Sequence, residues 1–141
     1  MTDLSRYNVL AVDDVPLNLL LIDKMLSHYG LRIRKASGGQ QALDMVAQER
    51  PDLVLLDLMM PGVDGFEVLR RLREDPVTES VRIVILSALN STEDIVRGYQ
   101  LGANDFITKP IILERLINSV ATQLQLSEPS EVGRNDEGDL S

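Results

Sequence analysis

From residue 7 to residue 125 the apolar positions follow two alternating patterns. Short runs rich in Val, Ile and Leu occupy 7–12 (YNVLAV), 31–36 (LRIRKA), 52–57 (DLVLLD), 81–87 (VRIVILS) and 104–108 (NDFIT) and predict strands. After each comes a stretch with apolar residues at helical spacing, which predicts helices over 16–29, 39–49, 64–74, 91–101 and 111–125. Pro16 stands near the start of the first helix, where its missing N–H costs nothing, and Gly30 is placed to end that helix. Asp64 with Glu67, and Ser91 with Asp94, form capping-box patterns at the third and fourth. The second helix turns Ala42, Leu43, Val46 and Ala47 to one face; the fifth turns Leu113, Leu116, Ile117, Val120 and Leu124 inward.

Five strand-then-helix units imply an α/β fold, because a parallel strand connection needs a crossover of a dozen residues and helices then cover both faces of the sheet. The expected architecture is a doubly wound, five-stranded parallel sheet with five helices. DLVLLD and VRIVILS are nearly continuous apolar runs, as strands buried on both faces should be, whereas LRIRKA alternates apolar and basic residues like an edge strand.

Composition narrows the setting. A chain of 141 residues is one domain's worth and buries enough apolar surface to need no disulfide, which the absence of Cys would in any case forbid. Its apolar runs are too short to span a bilayer and the N-terminus lacks a signal-peptide pattern, so a cytoplasmic protein without membrane contact is expected. A formal charge of −8 argues against direct capture of nucleic acid. Half of that charge lies in 127–141 (SEPSEVGRNDEGDLS), which has no periodic apolar face and reads as an acidic flexible tail or linker after a domain spanning 1–126.

All strands of such a sheet point the same way, so the residues just past their ends line one rim, where open α/β folds bind ligands. Asp13 and Asp14 follow the first strand, Asp57 ends the third, Ser87 and Ala88 end the fourth, and Lys109 and Pro110 follow the fifth. Singly, each Asp reads as a cap or turn residue, Ser87 as a loop hydroxyl and Lys109 as a surface amine; only their convergence is unusual. Three carboxylates packed together repel by ~4 kcal/mol per close pair at an effective dielectric near 20. A hard divalent cation, Mg²⁺ (or Mn²⁺), offsets that, since it suits one or two carboxylates, waters and a phosphoryl oxygen. A carboxylate beside such an ion can attack phosphorus, with Lys109 and Ser87 to meet the charge on the transferred oxygens. Asp57, at the end of the most apolar strand, is the natural nucleophile, and Asp13 and Asp14 are left to hold the metal.

The pieces VDDVPLN (12–18), LLDLMMPGVDGFE (55–67), ILSA (85–88) and GANDFITKP (102–110), in this order and spacing, resemble the receiver domain of two-component response regulators over residues 7 to about 125. The resemblance implies the flavodoxin-like strand order 2-1-3-4-5. It also implies Asp57 as phosphoacceptor, Asp13, Asp14, Asp57 and the backbone carbonyl of Met59 as metal ligands, and Lys109 and Ser87 as partners of the phosphoryl group. Ala88 becomes the small residue giving access to the phosphoryl group, Lys109–Pro110 a cis peptide, and Ser87 with Phe106 the switch pair. Phe stands where many relatives have Tyr, so an inward ring is held by packing alone.

Function follows the same resemblance. The phosphodonor is expected to be a histidine kinase or histidine phosphotransfer protein, and the output an attached domain, an effector protein or a homodimer. Enzymatic activity is expected only toward the chain's own phosphorylation and slow self-dephosphorylation, because Met59 and Leu89 are apolar where polar side chains could orient a hydrolytic water. On phosphorylation Ser87 moves toward the phosphoryl group and Phe106 turns into the space vacated beneath the fourth helix. The surplus apolar residues of the first helix, Leu17 to Leu26, read as a broad core face, with a docking surface for the phosphodonor as the alternative. His28 reads as an exposed residue at a helix end, Met59, Met60 and Pro61 as packing and turn residues, and Gly62 and Gly65 as sources of backbone freedom. A haloacid-dehalogenase-type phosphatase fits less well: its nucleophile ends the first strand with a second Asp two residues on, where Met59 stands here. A flavin-binding role is opposed by Asp13 and Asp14 where a phosphate needs backbone donors. A receiver used only as a scaffold is opposed by the presence of every site residue.

Overall fold

The computed structural model describes residues 4–125; the acidic tail lies outside the described residues. A short 3-10 turn, Leu4–Arg6, leads into β1 (Asn8–Val12), α1 (Pro16–Ser27), β2 (Arg32–Ala36), α2 (Gly39–Gln48), β3 (Leu53–Leu56), α3 (Gly65–Glu74), β4 (Arg82–Ser87), α4 (Thr92–Gln100), β5 (Asp105–Thr108) and α5 (Leu113–Gln123). The sheet is parallel throughout, in the order β2-β1-β3-β4-β5. The architecture is the expected one, and every predicted strand and helix is present with shorter ends.

The ends have local causes. Pro16 is the first residue of α1, and Gly30, with φ +91°, turns the chain after the helix. Asp64 and Ser91 accept from the N–H groups of Glu67 (2.9 Å) and Asp94 (3.1 Å), so both predicted caps form. α5 starts two residues later than its apolar pattern suggests, because Ile112 is extended and precedes the first helical turn.

β1, β3 and β4 are buried along nearly their whole length, and their side chains alternate between two cores. Val9, Ala11, Leu53, Leu55, Val84 and Leu86 meet α1 and α5; Leu10, Val12, Val54, Leu56, Ile83 and Ile85 meet α2 and α3, with Ile95 of α4 at the margin. Each Val, Leu or Ile among them contributes about 1.5–3 kcal/mol through burial. Rigid central strands hold their C-terminal ends side by side, and that registers the rim.

Several apolar positions fall outside these cores. Leu17, Leu20 and Leu21 are 60%, 48% and 47% exposed, so α1 does not present a broad core face; Leu19, Ile22 and Leu26 alone are buried on it. Its inner face meets a sheet flanked also by α5, which leaves room for one stripe. Ala47 is exposed, and Leu113 lies at the margin of α5. His28 is exposed, as expected.

Candidate functional site: an acidic rim with one lysine

The ladder positions the acids. Asp57 N–H donates to Val12 O at 3.0 Å and Asp13 N–H to Ala36 O at 3.1 Å, so both residues extend the sheet by one step and turn their carboxylates over its edge. Asp13, Asp14 and Asp57 each offer an oxygen within 4.8 Å of the others. At that spacing each pair of charges repels by about 3.5 kcal/mol for an effective dielectric near 20. The donor set is all oxygen, anionic and partly buried, which fits a hard divalent cation.

Lys109 reaches across this cluster from the β5–α5 turn. Its Nζ lies 2.9 Å from Asp13 Oδ2 and 3.9 Å from Asp57 Oδ1. Its backbone N–H donates to Ser87 O at 2.8 Å, and the Lys109–Pro110 peptide is cis. Burial pushes the Asp57 carboxyl above its ordinary range; the Lys109 ammonium opposes that, Asp13 adds to it, the Met59 N–H opposes it and Asp14 adds again. Asp57 is therefore a poorly solvated anion with one cation beside it, 6% exposed.

Ser87 is fully buried at the end of β4, and its hydroxyl accepts from Leu89 N–H at 3.1 Å. The register Leu56↔Ile85 places it on the strand next to Asp57. Ala88 follows it, exposed on the same rim. Met59 follows Asp57, its N–H 3.4 Å from Asp57 Oδ1 and its side chain exposed.

Phe106 does not point over the rim. Its ring is 7% exposed and sits beneath α4, where a Cβ on Gly98 would meet ring carbons at 3.1 and 3.2 Å and Ile85 Cδ1 at 2.8 Å. The ring is therefore inward in this structure, and the absence of a side chain at Gly98 is what admits it. Gly65 also differs from expectation. Its φ is not in the left-handed region; a Cβ there would strike the backbone carbonyl of Asp57. It is required for close approach of α3 to the Asp57 turn, and Gly62, with φ +76°, supplies the backbone freedom.

Two groups escaped the sequence reading. Asn18, within the motif VDDVPLN, donates from Nδ2 to Asp13 Oδ2 at 3.1 Å. Asp105 joins three elements on the far side of β5, accepting from Tyr99 of α4 (3.2 Å) and from Arg115 (2.9 and 3.0 Å) and Ser119 (2.6 Å) of α5. The signal for Asn18 was its place in that motif, and for Asp105 its place at the start of β5.

An acidic rim crossed by one lysine on a 2-1-3-4-5 sheet is the arrangement expected of a receiver domain, and comparison with known proteins shows that family. The profile of the response regulator receiver domain matches residues 9–121, and the chain belongs to that family, the receiver domains of two-component systems. It is 43% identical over 103 residues to the response regulator PleD of Caulobacter vibrioides, covering 73% of this chain and 23% of PleD. It is 35% identical to protein PilH of Pseudomonas aeruginosa, covering 79% of this chain and 93% of PilH. A response regulator structure from Chloroflexus aurantiacus superposes with a TM-score of 0.80 at 28% identity, covering 84% of this chain and 98% of that one. The chain spans about a quarter of PleD's length and half of the DNA-binding regulator RpaA of Synechocystis. No described helix is long and apolar enough to cross a membrane.

Proposed function

We propose that the chain is the phospho-accepting switch of a two-component phosphorelay, with Asp57 as the acceptor. The observation that carries this is the pairing of a buried, raised-pKa carboxylate with Lys109 at 3.9 Å inside a three-carboxylate cluster. Asp57 Oδ attacks the phosphorus of a phosphohistidine, the N–P bond breaks, and the imidazole nitrogen keeps the electron pair. Asp13, Asp14, Asp57 and the Met59 carbonyl would hold a Mg²⁺ or Mn²⁺ ion, which would supply charge neutralisation at the rim. Lys109 and Ser87 meet the charge on the transferred oxygens, and Ala88 leaves space for the donor.

The exposed stripe of Leu17, Leu20 and Leu21 supports a histidine kinase or phosphotransfer protein docking on α1, with an apolar groove of about 220 Å³ between Leu21, Met25, Pro110 and Ile111 beside it. The output surface is the face of α4, β5 and α5, where Val96, Tyr99 and Ile112 are exposed; it serves an output domain, an effector or a second copy. Because Phe106 is already buried, phosphorylation acts by tightening an inward ring through Ser87 and the β4–α4 turn and not by swinging it in. The setting is the cytoplasm, and this segment's acidic surface takes no part in holding nucleic acid.

Incubation with acetyl phosphate and Mg²⁺ tests the chemistry. Intact-mass measurement should show one added phosphoryl group on the wild type and none on Asp57→Asn; equal labelling of both refutes the assignment.

A further inference from the structure

Asp13 is 1% exposed, and both of its oxygens are occupied. Oδ1 accepts from Val15 N–H at 2.9 Å. Oδ2 is shared by two donors from separate parts of the chain: Lys109 Nζ at 2.9 Å from the β5–α5 turn, and Asn18 Nδ2 at 3.1 Å from the first turn of α1. Lys109 is at the same time the nearest cation to Asp57, an ångström farther off. One ammonium therefore serves two anions, and its balance depends on their relative charge.

We infer that Asn18 is a positioning residue that holds Asp13 when Lys109 transfers to a phosphoryl group on Asp57. This rests on the receiver function proposed above. Phosphorylation raises the negative charge on the Asp57 side by nearly one further unit, which draws the ammonium toward it. Asp13 Oδ2 then loses its closest donor, and removing partners from a buried carboxylate is costly. Asn18 has no net charge to draw it after the lysine, and its backbone is fixed in α1. It stays on Oδ2, keeps the Asp13 carboxylate oriented, and lowers the penalty for the transfer. The side chain has no comparable structural reason to be Asn: it lies inside a helix, where Asn is weaker than Leu in propensity, and the cap position before α1 is Val15. It also lines the groove beside Lys109 and is half-buried.

The test compares the full chain with Asn18→Leu, Asn18→Ala and Asn18→Gln. Three quantities are read: Mn²⁺ affinity by electron paramagnetic resonance, affinity for the phosphoryl mimic fluoroberyllate in the presence of Mg²⁺ by ¹⁹F resonance, and thermal stability without metal. Before the mimic arrives Lys109 still covers Asp13, so Mn²⁺ affinity should change by less than about threefold in Asn18→Leu and Asn18→Ala. Fluoroberyllate affinity should fall about tenfold, the scale of one hydrogen bond to a charged group. Asn18→Gln, which keeps an amide donor, should recover most of it, and Asn18→Leu should melt no lower than the wild type. Unchanged fluoroberyllate affinity overturns the inference, and so does a proportional loss of Mn²⁺ and fluoroberyllate affinity, which marks a merely structural role. A wild-type chain that binds no fluoroberyllate refutes the receiver function itself, and the inference with it.

Discussion

Asp105 offers a quantitative test of how α4, β5 and α5 are held together. Burial alone raises its carboxyl, but hydrogen bonds from Arg115, Ser119 and the Phe106 N–H outweigh burial and bring it to about 2 from the ordinary 3.8. Each unit is worth about 1.4 kcal/mol, so a depression of about 1.8 units sets a ceiling of about 2.5 kcal/mol on the stability these contacts contribute. The Arg115 side chain is 46% exposed, and solvent screening reduces the figure to about 1–1.5 kcal/mol. Asp105→Asn keeps the shape and removes the charge. Because the folded pKa is depressed, the stabilisation is fully present above pH 3.8, shrinks to roughly half near pH 3, and is lost as pH falls through about 2. Urea unfolding at pH 7 and pH 3 should therefore show the mutant destabilised by about 1–1.5 kcal/mol at pH 7 and by about half that at pH 3, with unchanged slope. A mutant as stable as the wild type at pH 7, or a deficit that does not shrink at pH 3, refutes the account of Asp105 as an ionised link between α4, β5 and α5.

Asp57→Asn should stabilise the metal-free protein by about 1 kcal/mol at pH 7, the ordinary scale of one polar substitution. The pKa of Asp57 is raised, so its favourable contribution is present below pH 3.8 and lost as pH rises through the folded value; a gain that persists unchanged at pH 3 contradicts this. Millimolar Mg²⁺ should raise the melting temperature of the wild type more than that of Asp57→Asn, whose cluster lacks one anion, and removal by chelator should reverse it; equal shifts count against the metal site. Phe106→Ala should cost about 3 kcal/mol by opening a cavity under α4. Fluoroberyllate should then still bind but no longer change hydrogen exchange in α4 and β5; a wild-type pattern of protection in the mutant would falsify the role given to the ring. Met59 and Leu89 offer no polar group to a hydrolytic water, so the acyl phosphate should last minutes or longer. A lifetime of seconds is incompatible with that reading.

Chain order and periodicity determined most of this protein by themselves. Continuous apolar runs at 52–57 and 81–87 define central strands, the capping residues Asp64 and Ser91 define helix starts, and a parallel sheet brings Asp13, Asp14, Asp57, Ser87 and Lys109 to one rim because every strand ends there. Such features depend on short-range spacing and on topology, both of which are written along the chain. What tertiary structure alone decided depends on how many partners compete for one place. The sheet accepts a single stripe of α1, so Leu17, Leu20 and Leu21 face solvent. The missing side chain at Gly98 admits Phe106 beneath α4, and the missing side chain at Gly65 lets α3 approach the Asp57 turn. Lys109 is nearer to Asp13 than to Asp57, with Asn18 on the same oxygen, because distances between residues remote in sequence are set by packing that no local pattern records.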